Sequence, residues 1–146
     1  GEYVVLRTDI LQDVGRSVNR EIDLGQIEGG VLQGMGWLTT EELWWDRAGR
    51  LRTHAPSTYK IPVASDRPRI FNVAIAEWSV NGAPTVNRSK AVGEPPIMLA
   101  NSVFAAIGMA VASVADYRFA PRLDTPATPE RVLMTMERLK AKARAG

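Results

Sequence analysis

A single carboxylate stands at the mouth of an apolar run. In the stretch SKAVGEPPIMLANSVFAAIGMAV, which begins at Ser89, Glu94 lies between Gly93 and the pair Pro95-Pro96, and almost everything after it is apolar. A charge with so little polar company is costly to bury, so two roles are open to it. One is a helix cap, where free N–H groups and the helix dipole stabilise negative charge. The other is a general base in desolvated surroundings. Pro95 and Pro96 carry no N–H, so they remove donors that would satisfy a capping carboxylate. That shifts weight toward proton transfer.

A second group of interest opens a glycine-rich stretch, GQIEGGVLQGMGWLTTEELWW. Gln26 there could give paired donor and acceptor bonds to the edge of a heterocycle, or serve as a plain amide at a helix start. Gly25 and Gly29 are four apart, as are Gly30 and Gly34, so small faces line up where another backbone or a flat ligand could approach. Close helix packing explains such spacing equally well. Lys90 could hold a phosphate or a nearby carboxylate. Glu28, Glu41 and Glu42 suit solvated or ion-paired helix positions, and His54 suits a hydrogen-bonded loop residue. Trp44, Trp45 and Trp78 suit core or interface anchors.

The elements that must position these residues follow from periodicity. Tyr3 to Arg7 has strand composition, Gly1-Glu2 has the character of the end of a hairpin turn, and extended chain stops at Gly15. RSVNREIDLG is expected as a polar loop. Ile27, Val31, Leu32, Met35 and Leu38 recur at helical spacing. IFNVAIAEWSV is expected as a strand and TVNRSK as a short returning one. The chain turns helical from Pro95, since proline is favoured at first helical positions, and stays so to about Asp116. YRFAPRLDTPAT is a linker. The last helix lies in TPERVLMTMERLKAKARAG, with Thr128 as cap, Pro129 first and Glu130 in the first turn. Arg138, Lys140, Lys142 and Arg144 suit its C-terminal dipole. The class is α+β, with few strands and three main helices, completing a sheet supplied elsewhere. The mid-hairpin opening suggests that residues 1–146 are one segment of a longer chain.

Composition narrows the chemistry. The 146 residues carry a net charge of +2, and Lys and Arg are spread along the chain, with no basic stripe for nucleic acid. There is no cysteine, which excludes disulfides, thiolate zinc sites and cysteine-ligated clusters within the chain, and a single histidine excludes a histidine-rich metal site. The longest apolar run, Ile97 to Ala115, is interrupted by Asn101, Ser102 and Ser113, which favours a buried helix over a membrane span. With no targeting segment visible, a cytoplasmic location is expected. Neither a P-loop, a dinucleotide fingerprint nor a nucleophile elbow is present.

The segments LRTDILQDVGRSVN, DLGQIEGGVLQGMGWLTTEEL, THAPSTYKIP and SKAVGEPPIMLA together resemble the molybdenum hydroxylase family, in its xanthine dehydrogenase branch, over about Gly1 to Asp116. The resemblance implies the C-terminal portion of a molybdenum cofactor-binding domain. It implies a molybdenum–molybdopterin cofactor whose own dithiolene sulfurs hold the metal, consistent with the lack of cysteine. By the same resemblance GEPP carries the catalytic glutamate, Glu94, acting on a metal-bound hydroxide that attacks an electron-poor purine carbon, with water as the oxygen source. Gln26, Val92 and Gly93 are then the cofactor-binding residues. The resemblance also implies 2Fe-2S clusters and FAD on partner segments, NAD as acceptor, and a dimer of the whole assembly. Aldehyde oxidases of the family tend to show serine and glycine where this chain has Pro95 and Pro96. KAVGEPP and PSTYKIP therefore favour hypoxanthine or xanthine as substrate. An aldehyde oxidase-type hydroxylase and a catalytically silent domain of the same fold are the alternatives.

Overall fold

In a computed structural model, residues 1–145 are described; Gly146, the last residue of the expected final helix, lies outside them. Two short strands, β1 (Arg7–Gln12) and β2 (Ile70–Ile75), pair in parallel, with Arg7 opposite Ile70 and Gln12 opposite Ile75. Parallel neighbours cannot be joined by a hairpin and need a crossover. The crossover holds the glycine-rich helix, α1 (Arg20–Thr39). Residues 1–6 lie outside any strand, and β1 begins where the expected strand ends.

The expected polar loop RSVNREIDLG is helical from Arg20 onward. Asn19 caps it, its side-chain oxygen accepting from the Ile22 N–H at 3.2 Å, and Glu21 and Asp23 occupy the first turn. These are ordinary helix-start features, masked in the sequence by Gly25. Each interior glycine costs about 0.5–1 kcal/mol against alanine. Packing offsets part of that at Gly30 and Gly34, which seat a short helix, α2 (Pro95–Leu99). A Cβ on Gly34 would stand 2.4 Å from the Ile97 carbonyl oxygen, and one on Gly30 would stand 2.9 Å from Pro96 Cβ. Close packing thus accounts for one of the two glycine pairs. Gly25 and Gly29 have nothing within 4 Å of an added Cβ.

The helix expected from Pro95 to Asp116 is broken at Ala100 into α2 and α3 (Asn101–Ser113). The break is a tightened turn, with the Ala100 N–H bonded to the Ile97 carbonyl at 3.2 Å and the Val103 N–H to the Ala100 carbonyl at 2.9 Å. By length and composition Pro95–Ser113 is apolar enough to cross a membrane, yet Val103, Ile107 and Val111 of α3 are buried in a core shared with Val132 and Leu139 of α4 (Pro129–Ala145). Thr128 caps α4, its hydroxyl accepting from the Arg131 N–H at 3.4 Å. TVNRSK is not a strand. Asn87 and Arg88 take positive φ values of 52° and 57°, so the chain reverses in a 3-10 turn (Val86–Arg88).

Two cores result. One joins α1, α3 and α4 around Met35, Ile107 and Leu139. The other joins β1, β2 and the first half of α1 around Ile10, Ile27 and Ile75, with Val92 and Leu99 packed against it. Trp44, Trp45 and Trp78 are exposed and anchor neither core. Glu28 and His54 are exposed as well. Glu41 and Glu42 lie just past the end of α1. Glu41 is buried and accepts a hydrogen bond from the Tyr59 hydroxyl, which raises the tyrosine's pKa; Glu42 pairs with Arg131 at 2.7 Å.

Candidate active site

The segment carrying Glu94 is pinned from both ends. Upstream, the Lys90 N–H donates to the Val14 carbonyl at 2.8 Å, and Ser89 bridges to Gly15 just past the end of β1. Gly15 is obligatory there, because its φ is +61° and a Cβ would stand 2.5 Å from the Arg88 carbonyl oxygen. Downstream, Pro96 is buried against Gly30. Between these anchors only Val92 turns inward, into the core of β1, β2 and α1. Ala91, Gly93, Glu94 and Pro95 are exposed.

Glu94 occupies the position before the first residue of α2, but its side chain makes no capping hydrogen bond. Only its carbonyl is engaged, by the Ile97 N–H at 3.0 Å. The prolines at the first two helical positions leave no N–H there to accept, as their chemistry requires. The structure therefore does not use this carboxylate as a cap. Nor is it desolvated within this chain, where its side chain faces solvent.

Gln26 lies in the second turn of α1, not at its start, because the helix begins at Arg20. Its side chain is exposed and runs beside the Glu94 segment. Gln26 Oε1 would be 3.7 Å from a Cβ placed on Gly93. Gln26, Gly93 and Glu94 thus share one solvent-facing patch, with Val92 beneath it as anchor.

Lys90 faces a carboxylate. Its ammonium pairs with Asp13 and approaches the Ser79 hydroxyl at 3.5 Å. The Lys90 ammonium, with hydrogen bonds from Ser79 and the Gly15 N–H, holds the Asp13 carboxyl down to about 2. A depressed carboxyl contributes stability that is fully present above its unfolded pKa and is lost progressively below it as the pH falls through about 2. The pair is therefore intact at neutral pH. Asp13 is the site residue the sequence reading missed. Its spacing in Asp13-Val14-Gly15 announces a side-chain-stabilised turn, which the 2.8 Å bond from the Gly15 N–H to Asp13 Oδ1 realises.

Among the described residues no group of three or more His, Asp or Glu side chains could hold a metal ion. The donor set fits a metal that arrives with ligands of its own. The open backbone at Gly93 and the Gln26 amide beside it fit the approach of an organic cofactor.

The comparisons point the same way. Residues 1–68 match the family described as a molybdopterin cofactor-binding domain. The chain is 42% identical to the xanthine dehydrogenase of Emericella nidulans, with all of this chain and 11% of that protein aligned. It is 46% identical to the xanthine dehydrogenase/oxidase of Gallus gallus over 90% of this chain and 10% of that one. It thus spans about a tenth of the length of the curated relatives it matches. Among solved structures, quinoline 2-oxidoreductase from Pseudomonas putida 86 superposes with a TM-score of 0.73 at 27% identity, covering 87% of this chain and 15% of the other. A Cu,Mo-CO dehydrogenase shares the fold, with a TM-score of 0.71 at 20% identity over 88% of this chain and 16% of that one. Nearly its whole length thus matches a small segment of xanthine dehydrogenases, and its first 68 residues match a molybdopterin cofactor-binding domain.

Proposed function

We propose that this segment supplies the general base of a molybdenum-dependent purine hydroxylase, a xanthine dehydrogenase-type oxidoreductase that converts hypoxanthine and xanthine to urate. The observation that carries the reading is the Glu94 carboxylate. It is exposed, takes no part in capping, and follows Gly93, a residue without a side chain that Gln26 runs beside. When bound, the molybdenum–molybdopterin group supplies a Lewis acid and an acceptor for two electrons. This chain's part is to hold and move a proton. Glu94 accepts it at a carboxylate oxygen as the oxygen of water is delivered to an electron-poor ring carbon. Gly93 keeps the approach free of a Cβ, Val92 ties the segment to the core, and the Gln26 amide offers a donor and an acceptor to the cofactor.

The remainder of the molybdopterin-binding chain encloses the site in this reading. In this reading 2Fe-2S clusters and FAD on partner segments would supply the path for electrons and NAD the acceptor, in a cytoplasmic dimer of the whole assembly. Identity of 42–46% to xanthine dehydrogenases supports a purine substrate over an aldehyde. Steady-state turnover of the full-length enzyme tests that choice. Xanthine should give the higher kcat/KM, and a preference for an aromatic aldehyde would reassign the substrate.

Gln26 has a separable consequence. Its side chain is exposed on α1, and its removal takes nothing from either core. Gln26→Ala in the full-length enzyme is expected to lower molybdopterin occupancy or turnover while Tm stays nearly unchanged. Metal analysis together with a thermal melt measures both. Full molybdenum content with unaltered kinetics would reduce Gln26 to a surface amide.

A further inference from the structure

Among the described residues the Glu94 side chain makes no capping bond, so its place is set by what holds the segment around it. We infer that the Asp13–Lys90 ion pair is a positioning device for the Glu94 carboxylate. This inference rests on the reading of Glu94 as the base.

Asp13 uses its two oxygens for two different ties. Oδ1 accepts the Gly15 N–H at 2.8 Å and fixes the turn that ends the first strand's path, while Oδ2 takes the Lys90 ammonium. The turn and the segment before the glutamate are thereby joined through one carboxylate. Main-chain bonds run alongside it: the Arg16 N–H to the Arg88 carbonyl at 3.1 Å, and the Lys90 N–H to the Val14 carbonyl at 2.8 Å. From the other side, Asn81 Nδ2 donates to the Ser89 carbonyl at 2.9 Å. Beyond Lys90 the chain has one inward side chain, Val92, and then Gly93. Glycine at Gly93 offers little backbone stiffness of its own, so the place of Glu94 depends on how firmly the anchors on either side of it are held, and Lys90 is the upstream one.

The pair contributes little to folding. Its side chains remain 35% and 42% exposed, and solvent and salt screen ion pairs so placed. Position is a different matter, because a misplacement of about 1 Å in a reacting group can cost on the order of a hundredfold in rate. The expected signature is therefore a rate loss out of proportion to the stability loss. The Lys90 ammonium is also already committed to a carboxylate, which leaves it unsuited to holding a cofactor phosphate.

The test uses the full-length holoenzyme with xanthine. Lys90→Met is expected to lower kcat by about ten- to a hundredfold, with KM within about twofold, and with molybdenum content and Tm close to wild type. Lys90→Arg should restore most of the rate. Asp13→Asn removes the pair from the other side yet keeps an oxygen for the Gly15 N–H, so it should reproduce the Lys90→Met loss and serves if that variant fails to load. The deciding measurement is the cycle with Glu94→Gln. If the pair acts through Glu94, adding Lys90→Met to Glu94→Gln costs nothing further, since coupled residues are not additive. A full additional loss in the double variant, or a Lys90→Met enzyme at the wild-type rate, overturns the positioning role and leaves the base reading standing. A Glu94→Gln enzyme near the wild-type rate overturns both.

Discussion

Glu94→Gln in the full-length enzyme is expected to turn over xanthine at least about a hundredfold more slowly than wild type, in line with the 10²–10⁴-fold typical of a positioned general base. Glutamine keeps the length, the shape and one acceptor oxygen, but it cannot take up the proton. Nothing in the fold depends on the charge. The side chain makes no capping bond, is exposed, and contributes to neither core. Molybdenum and flavin content and Tm should therefore match wild type, and the loss should fall on kcat. A variant with depleted molybdenum would instead point to a cofactor-holding role. A variant that loses several degrees of Tm would point to a structural one.

The second large effect is expected at Gly34. An alanine there places its Cβ 2.4 Å from the Ile97 carbonyl oxygen and 2.8 Å from Ala100 Cβ. The first of these is backbone, so the clash is relieved only by moving α2 away from α1. Overpacking of this kind typically costs about 1–3 kcal/mol, against the roughly 1 kcal/mol an alanine gains over glycine in helix propensity. The displacement matters more than the energy. Glu94 directly precedes α2, and Pro96 and Ile97 are the downstream anchor of its segment. Gly34→Ala should lower kcat by about tenfold or more by shifting the base. Gly30→Ala, whose Cβ meets only the Pro96 ring carbon at 2.9 Å, should be milder. Activity and Tm of both variants side by side give the order. A Gly34→Ala enzyme with wild-type Tm and turnover would mean that α2 has slack which the packing does not show.

Much of the site was legible because it rests on local chemistry. The prolines after Glu94 announced a helix start that could not be capped, and the structure has that start without the cap. The order of helices and their α+β class followed from periodicity. The register of the glycine pairs told that a backbone comes close, though not that Gly30 and Gly34 receive α2 while Gly25 and Gly29 stay open. What the sequence concealed is long-range. Parallel pairing of β1 with β2 depends on a partner some sixty residues away, Arg7 meeting Ile70, and nothing local in either strand announces it. The Asp13–Lys90 tie spans 77 positions. The first turn of α1 was hidden by Gly25, although Asn19, Glu21 and Asp23 were in place to mark it. Of the two roles expected for the tryptophans, core or interface anchor, exposure of 53% at Trp44 and Trp45 and 75% at Trp78 removes the core.

The proton-accepting role of Glu94 is tested most directly by anaerobic stopped-flow reduction of the fully loaded Glu94→Gln enzyme with xanthine, because this isolates the reductive step from electron transfer to the final acceptor. The account predicts reduction slowed by at least about a hundredfold with molybdenum and flavin content intact. Reduction within a few-fold of the wild-type rate would contradict it.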